Sequence, residues 1–328
     1  MAVLHCKLTV KRPFSLKATA LSHGWHECAP MNWCEGGACL QMIERIGTDV
    51  YRVSIVERAR NAKSVALAVG IEGPNTNRAI RDEMRSRITE SLKLNHDLSE
   101  FHAIVATHDS LHRLVKIGAG RLMHSVSMTE NIIKALCATN VNWDQAVKMI
   151  NRIGQLGPHL PHFRHLNAWP TPREILKGGE IYLRDVCRLG YRVDAILAFC
   201  DDVATGKINP ESLRPLSRRA DVSSDELLST LRAVRGIGPS SAHFLLTCLG
   251  RYDRLSIDSA TVDHVRRVHT NGRTPTAKQI ERIYAPYGRW KNLVYWFENW
   301  LTWETAEQML AARRIGNVAS VNQSADAG

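Results

Sequence analysis

No apolar run in this 328-residue chain reaches the roughly 18 residues that a membrane-spanning helix needs. The start, MAVLHCKLTVKRPF, lacks the apolar stretch of about 7–15 residues that marks a secretory signal, so an intracellular protein is expected. No CxxC pair occurs among the 8 cysteines. Nor is there a compact four-cysteine run near the C-terminus, which argues against an iron–sulfur cluster. Cys28, Cys34 and Cys39 cluster in HECAPMNWCEGGAC, but their loose spacing makes zinc binding the minor alternative. Acid is the scarcer charge: Asp+Glu is 32 against Lys+Arg 43, a net +11. A surplus of that sign points to a polyanionic partner, nucleic acid being the commonest, with a solvated basic surface as the bland alternative. Repeats and low-complexity segments are absent, and 44% hydrophobic residues exclude a collagenous or broadly disordered chain.

What is present changes period along the chain. Up to about residue 70, KLTV, FSLKATAL, ACLQMIERI, DVYRVSIV and SVALAV read as short strands punctuated by Pro, Gly and Asn. Ile80, Met84, Ile88 and Leu92 then recur at helical spacing, and beyond residue 98 almost everything reads helical. Ser127-x-x-Glu130, Asn142-x-x-Gln145, Thr171-Pro172-x-Glu174 and Ser223-x-x-Glu226 mark helix starts. Residues 154–170, GQLGPHLPHFRHLNAWP, read as an irregular linker, whose histidines lack metal-site spacing. The expected fold is α+β, mainly α. It comprises an N-terminal antiparallel sheet domain with a helix (1–97), a two-lobed helical body (98–318) and a disordered polar tail (319–328).

Within that body a helix at 224–234 ends at Arg235-Gly236-Ile237-Gly238, and another runs from near Ser240 to Leu249. Two glycines around an aliphatic residue allow a tight turn, and the second helix then offers free N–H groups to an anion such as a DNA phosphate. A purely structural turn would account for a bare GxG nearly as well. Downstream, Asp258 opens a further helix after Leu255-Ser256-Ile257.

In this context the sequence resembles the helix-hairpin-helix DNA glycosylase superfamily, and in particular its 3-methyladenine glycosylase II and 8-oxoguanine glycosylase-like members. LRAVRGIGPSSAHFLL is similar to the family's hairpin (224–249 here), and Asp258 falls where that family keeps its catalytic aspartate. FSLKATALSHGW is similar to the N-terminal sheet domain, SMTENIIKALCATNVNWDQAVKMI to the DNA-wedging region, LGYRVDAILAF to the interdomain helix and YAPYGRWKNLVYWF to the C-terminal pocket helix.

The resemblance implies roles. Asp258 would stabilise oxocarbenium character on the deoxyribose and position or deprotonate the attacking water, unless it is merely a helix cap. Gly236, Ile237, Gly238, Ser240 and Ser241 would contact DNA through the hairpin. Asn140 would fill the gap left by a flipped nucleotide, and Asn142 would make a neighbouring contact, although capping alone explains it. Phe244 and Trp296 would sandwich the flipped base, Asn292 would read its Watson–Crick edge and the Gly24 carbonyl would read the lesion; for each, a core role is the alternative.

Ser240 stands where bifunctional members place a Schiff-base lysine, and serine cannot form one. The expectation is therefore a monofunctional DNA N-glycosylase without lyase activity that removes an alkylated or oxidised purine from double-stranded DNA and leaves an abasic site. No cofactor, catalytic metal or membrane is expected, although a structural K+ or Na+ at the hairpin is implied by relatives. A monomer is expected, in the cytoplasm with the nucleoid if bacterial or in the nucleus if eukaryotic. The alternatives are a catalytically silent DNA-binding protein and a glycosylase for a modified base in foreign DNA.

Overall fold

The computed structural model describes residues 2–303; the polar tail expected at 319–328 lies outside them. Alternation builds the first layer. In β5 (Ser64–Gly73) every second side chain is buried, which presents one face to a core and leaves the other half-exposed. The sheet is antiparallel throughout, in the order β1-β5-β4-β3-β2, with β1 at Ala2–Lys11, β2 at Met31–Cys34, β3 at Cys39–Ile46 and β4 at Asp49–Arg60. The helical period at 80–92 becomes α2 (Arg78–Ser91), capped by Asn77, which buries Met84 and Ile88 in the same core as Leu67 and Val69.

Two segments differ from the sequence reading. Residues 14–21, expected as a strand, contain α1 (Leu16–Ala20), whose start is capped by Ser15. A distant carboxylate reinforces it: Glu57 on β4 accepts the Leu16 N–H at 3.1 Å. The stretch 154–170, expected as a linker, holds a small hairpin of β6 (His159–Leu160) and β7 (Phe163–Asn167). It buries Leu160 and Ala168 against Ile43 and Val50 of the sheet, and Arg52 lies 4.5 Å over the Phe163 ring.

The remaining helices are α3 (Ser99–Ala106), α4 (Arg113–Ile117), α5 (Met128–Cys137), α6 (Trp143–Gly154), α7 (Pro172–Ile181), α8 (Arg192–Ala204), α9 (Leu213–Ser217), α10 (Ser224–Arg232), α11 (Pro239–Cys248), α12 (Ser259–Val268), α13 (Ala277–Tyr284) and α14 (291–303). The sheet and α5 to α11 share one core. A second core joins α3 and α4 to α12, α13 and α14 through Phe101, Leu114, Val265, Ile280 and Phe297. The second lobe is therefore made of two distant chain segments, and the connection from α11 to α12 passes between the lobes. Among the described residues no helix is long and apolar enough to cross a membrane.

Candidate active site

The α10–α11 turn is built around Gly236. Its φ is +89°, a conformation that favours glycine, and a Cβ there would meet Leu136 at 2.9 Å and Ala195 at 3.1 Å. The turn thus sits directly on α5 and α8, with Ile237 buried. Gly238 occupies the N-cap of α11 with no side-chain cap, and Pro239 opens the helix. Nothing lies within 4 Å of a Cβ on Gly238. Among the described residues the amides of Gly238, Ser240 and Ser241 have no backbone partner, so they and the helix dipole are presented outward to an anion. The carbonyls of Arg235 and Gly236 likewise receive no backbone N–H among these residues.

Asp258 is the N-cap of α12 and is exposed. Its Oδ1 accepts from the Thr261 N–H at 2.9 Å and lies 3.0 Å from the Thr261 hydroxyl. The cap thus uses one carboxylate oxygen, and the expected catalytic position and the capping alternative coincide in one residue. The segment before it is fastened on two sides. The Ser256 hydroxyl donates to the Ser240 carbonyl at 3.2 Å, and the Ser256 N–H donates to Asn292 Oδ1 at 3.0 Å.

That last bond corrects one expectation. Asn292 is fully buried, and its Nδ2 donates to the Thr247 hydroxyl at 2.8 Å. Both ends of the amide are committed, so it is not offered to a base. It brackets α11, α14 and the Asp258 loop together instead.

Phe244 and Trp296 do meet, with ring centroids 6.0 Å apart and planes at 30°. Both belong to a group that the sequence reading missed in part, completed by His23, Trp25 and Trp143. His23 stacks on Phe244 at 4.8 Å and 18°, and lies 5.3 Å from Trp296. Trp25 meets the His23 ring edge-on at 4.2 Å. Gly24 is required here because a Cβ would fall 2.1 Å from the Trp143 ring. The Trp296 indole N–H donates to the Ser22 carbonyl at 2.8 Å, and that of Trp300 to the Leu21 carbonyl at 2.9 Å. The first 25 residues and α14 are thereby joined at one aromatic cluster. A base sandwiched between two rings holds them at least about 7 Å apart, so the rings are packed together here and leave no base-sized gap.

Asn140 adopts φ +49°, which asparagine tolerates better than most residues. It borders an open cavity of about 620 Å³ shared with Tyr191, Lys148, Arg152, Arg188 and Arg192. Its Nδ2 donates to the exposed Tyr191 hydroxyl at 3.1 Å, and Arg192 donates to the Thr139 carbonyl. Tyr191 was also missed; its signal was an aromatic beside arginine in LGYR. Asn142 caps α6, accepting the Gln145 N–H at 2.9 Å.

For a metal, the cysteine cluster is not assembled. Cys34 and Cys39 face each other across β2 and β3, whereas Cys28 is buried and its thiol is pushed up by burial to about 12. The one group with converging metal-type donors among the described residues is His264, His269 and Glu298. There Glu298 Oε2 accepts from His264 at 2.9 Å, His269 at 2.8 Å and the Tyr284 hydroxyl at 2.6 Å, so hydrogen bonding already engages these donors.

No family model and no curated protein matches the sequence. Solved structures do. A 3-methyladenine DNA glycosylase from Archaeoglobus fulgidus aligns with a TM-score of 0.71 at 19% identity, over 89% of this chain and 96% of that one. MBOgg1 in complex with a low-affinity DNA ligand aligns at 0.69 and 19% identity, over 93% and 100%. The 8-oxoguanine glycosylase/lyase of Clostridium acetobutylicum, bound to double-stranded DNA with cytosine opposite 8-oxoguanine, aligns at 0.67 and 16% identity, over 92% and 98%. This chain has the fold of these DNA glycosylases.

Proposed function

We propose that the protein is a monofunctional DNA glycosylase that flips a damaged purine out of duplex DNA and hydrolyses its N-glycosidic bond. The observation that carries this reading is the coupling of Asp258 to the hairpin. An exposed carboxylate with one oxygen outside its helix cap is fastened through Ser256 to the first turn of α11, whose open N–H groups suit a phosphate. A strand gripped at α11 would thus present a sugar near a carboxylate suited to stabilising its developing positive charge. The aromatic pocket of Phe244, Trp296 and their neighbours would receive the base, and the cationic cavity at Asn140 and Tyr191 would face the partner strand. Serine at position 240 supports the absence of a lyase step. Alkylated or oxidised purines are the favoured substrates. Serine at 240 and the aromatic flanks suit an electron-poor alkylated base, which leaves more readily and would stack on Trp296, whereas the asparagine turn and the Ser22-His23-Gly24 segment lean toward an oxidised purine. A monovalent cation on the hairpin carbonyls and action as a monomer belong to the same proposal.

The closed spacing of Phe244 and Trp296 favours a second reading, a DNA-binding protein that has lost the chemistry. One experiment separates the two. Wild type and Asp258→Asn are incubated with duplexes containing 8-oxoguanine, hypoxanthine or ethenoadenine and with randomly methylated DNA, followed by alkali. Alkali-dependent cleavage that disappears in Asp258→Asn is expected. Tight duplex binding with no base release from any substrate would select the silent binder.

A further inference from the structure

We propose that His23 is a specificity-determining plug: in the DNA-free protein its imidazole holds the stacking position on Phe244 that a flipped purine takes, and a base enters only by displacing it. The proposal rests on reading the aromatic pocket as the base site.

Three observations carry it. The first is position. The Trp296 indole grips the carbonyl of Ser22, so the backbone beside His23 is anchored to the wall that its side chain faces. The second is shape. The His23 ring lies nearly parallel to Phe244 and is tilted by 30° against Trp296, the geometry of a stacked heteroaromatic base. Phe244 and Trp296 are 6.0 Å apart, so His23 lies beside both rings and not between them, and a base that stacks on Phe244 must take its place.

The third is bonding. Other buried histidines here are tied by a ring nitrogen: His102 to the Ala119 carbonyl at 2.8 Å, and His264 to Glu298. The Nδ1 atoms of His23, His124 and His264 are all buried without a partner among the described residues. His124 and His264 are each tied through Nε2, whereas no hydrogen bond reaches the His23 ring among these residues. An unpaired buried polar atom is unfavourable, so displacing this side chain breaks ring contacts but no ring hydrogen bond among the described residues. Burial, together with the charges of His26 and Lys134, keeps the ring neutral by holding its pKa down to about 3. The plug therefore stays uncharged across the physiological range.

Selectivity follows from the exchange. A bicyclic or positively polarised purine covers more of Phe244 and Trp296 than the imidazole does and can displace it. A pyrimidine gains little over the ring already there. The apparent affinity for any base is lowered by the fraction of time the plug is seated.

The test uses free 2-aminopurine, whose fluorescence is quenched on stacking, titrated into wild type, His23→Ala, His23→Ser and His23→Phe, with thermal unfolding to verify that each is folded. His23→Ala and His23→Ser should bind at least about tenfold more tightly than wild type, as expected for an unblocked site. His23→Phe, which keeps a flat ring in the slot, should not. Adding Phe244→Ala to His23→Ala should remove the gain, which locates the bound purine. Equal binding by wild type and the small-residue variants, or tighter binding by wild type, overturns the plug. The titration needs neither DNA nor bond cleavage. A wild type that releases no base from any duplex would therefore count against the glycosylase reading while leaving this result intact.

Discussion

The N-termini of α5 and α11 are built from the same elements and finished in opposite ways. At α5, Ser127 caps the helix, and Glu211 accepts the N–H groups of Met128 and Thr129, both at 3.0 Å. A carboxylate of the protein fills the anion site, and the helix behind it is wholly buried. At α11, glycine replaces the capping residue and proline follows. The amides of Gly238, Ser240 and Ser241 have no backbone partner among the described residues. Helices α7, α10, α12 and α13 all close themselves with capping boxes. Helices α3, α4, α8 and α9 also start without a side-chain cap, so a missing cap alone marks nothing. What sets α11 apart is the glycine turn together with first-turn amides that have no backbone partner among the described residues.

The carboxylates divide in the same way, and this gives the largest expected effect. Asp258 both caps a helix and, on our reading, does chemistry. Asparagine caps as well as aspartate, so Asp258→Asn should lower base release by roughly 10²–10⁴-fold while leaving the unfolding midpoint almost unchanged. A large loss of stability in that variant would mean that the carboxylate serves the fold first.

Glu298 is the opposite case, a carboxylate fully spent inside. Burial alone would raise its pKa, but hydrogen bonds from His264, His269 and Tyr284 outweigh burial and hold it at about 2. A carboxyl group held below its unfolded value adds stability that is present above about pH 4.5 and is lost as pH falls toward 2. A shift of this size corresponds to roughly 3 kcal/mol. Denaturant midpoints measured across that window should fall for wild type and stay flatter for Glu298→Gln.

Emptying the closed helix start should cost stability without cost to binding. Glu211→Ala leaves two buried-side amides unpaired and is expected to lose about 1–3 kcal/mol in chemical denaturation, with duplex affinity unchanged. Closing the open one should do the reverse. Gly238→Asp installs a cap where a Cβ has room and should change stability by only a few tenths of a kcal/mol. It should nevertheless weaken duplex binding about tenfold, because the new carboxylate repels the phosphate. Unchanged affinity would make that turn structural.

Local signals were the legible ones. The caps at Ser127, Asn142, Thr171 and Ser223 form where the sequence places them, since a cap and its target lie three residues apart. The helical pattern of α2 and the turn at Gly236 were legible for the same reason. What escaped was non-local. α1 depends on Glu57 from another strand, and β6 and β7 form where they pack on the sheet. Asn292 stands one turn from Trp296, but helical spacing fixes a shared face and not depth; the amide lies in the core and the indole at the pocket wall. His23 carried no motif of its own, because its surroundings come from α11 and α14.

The indole bonds of Trp296 and Trp300 to the carbonyls of Ser22 and Leu21 also have a consequence for biosynthesis. The pocket joins one of the earliest segments made to one of the last described ones. A chain whose synthesis stops short of residue 290 lacks α14, which carries both indoles. On the glycosylase reading, a fragment without α14 would lack one side of the base site, so any DNA affinity it kept would not bring base extraction with it.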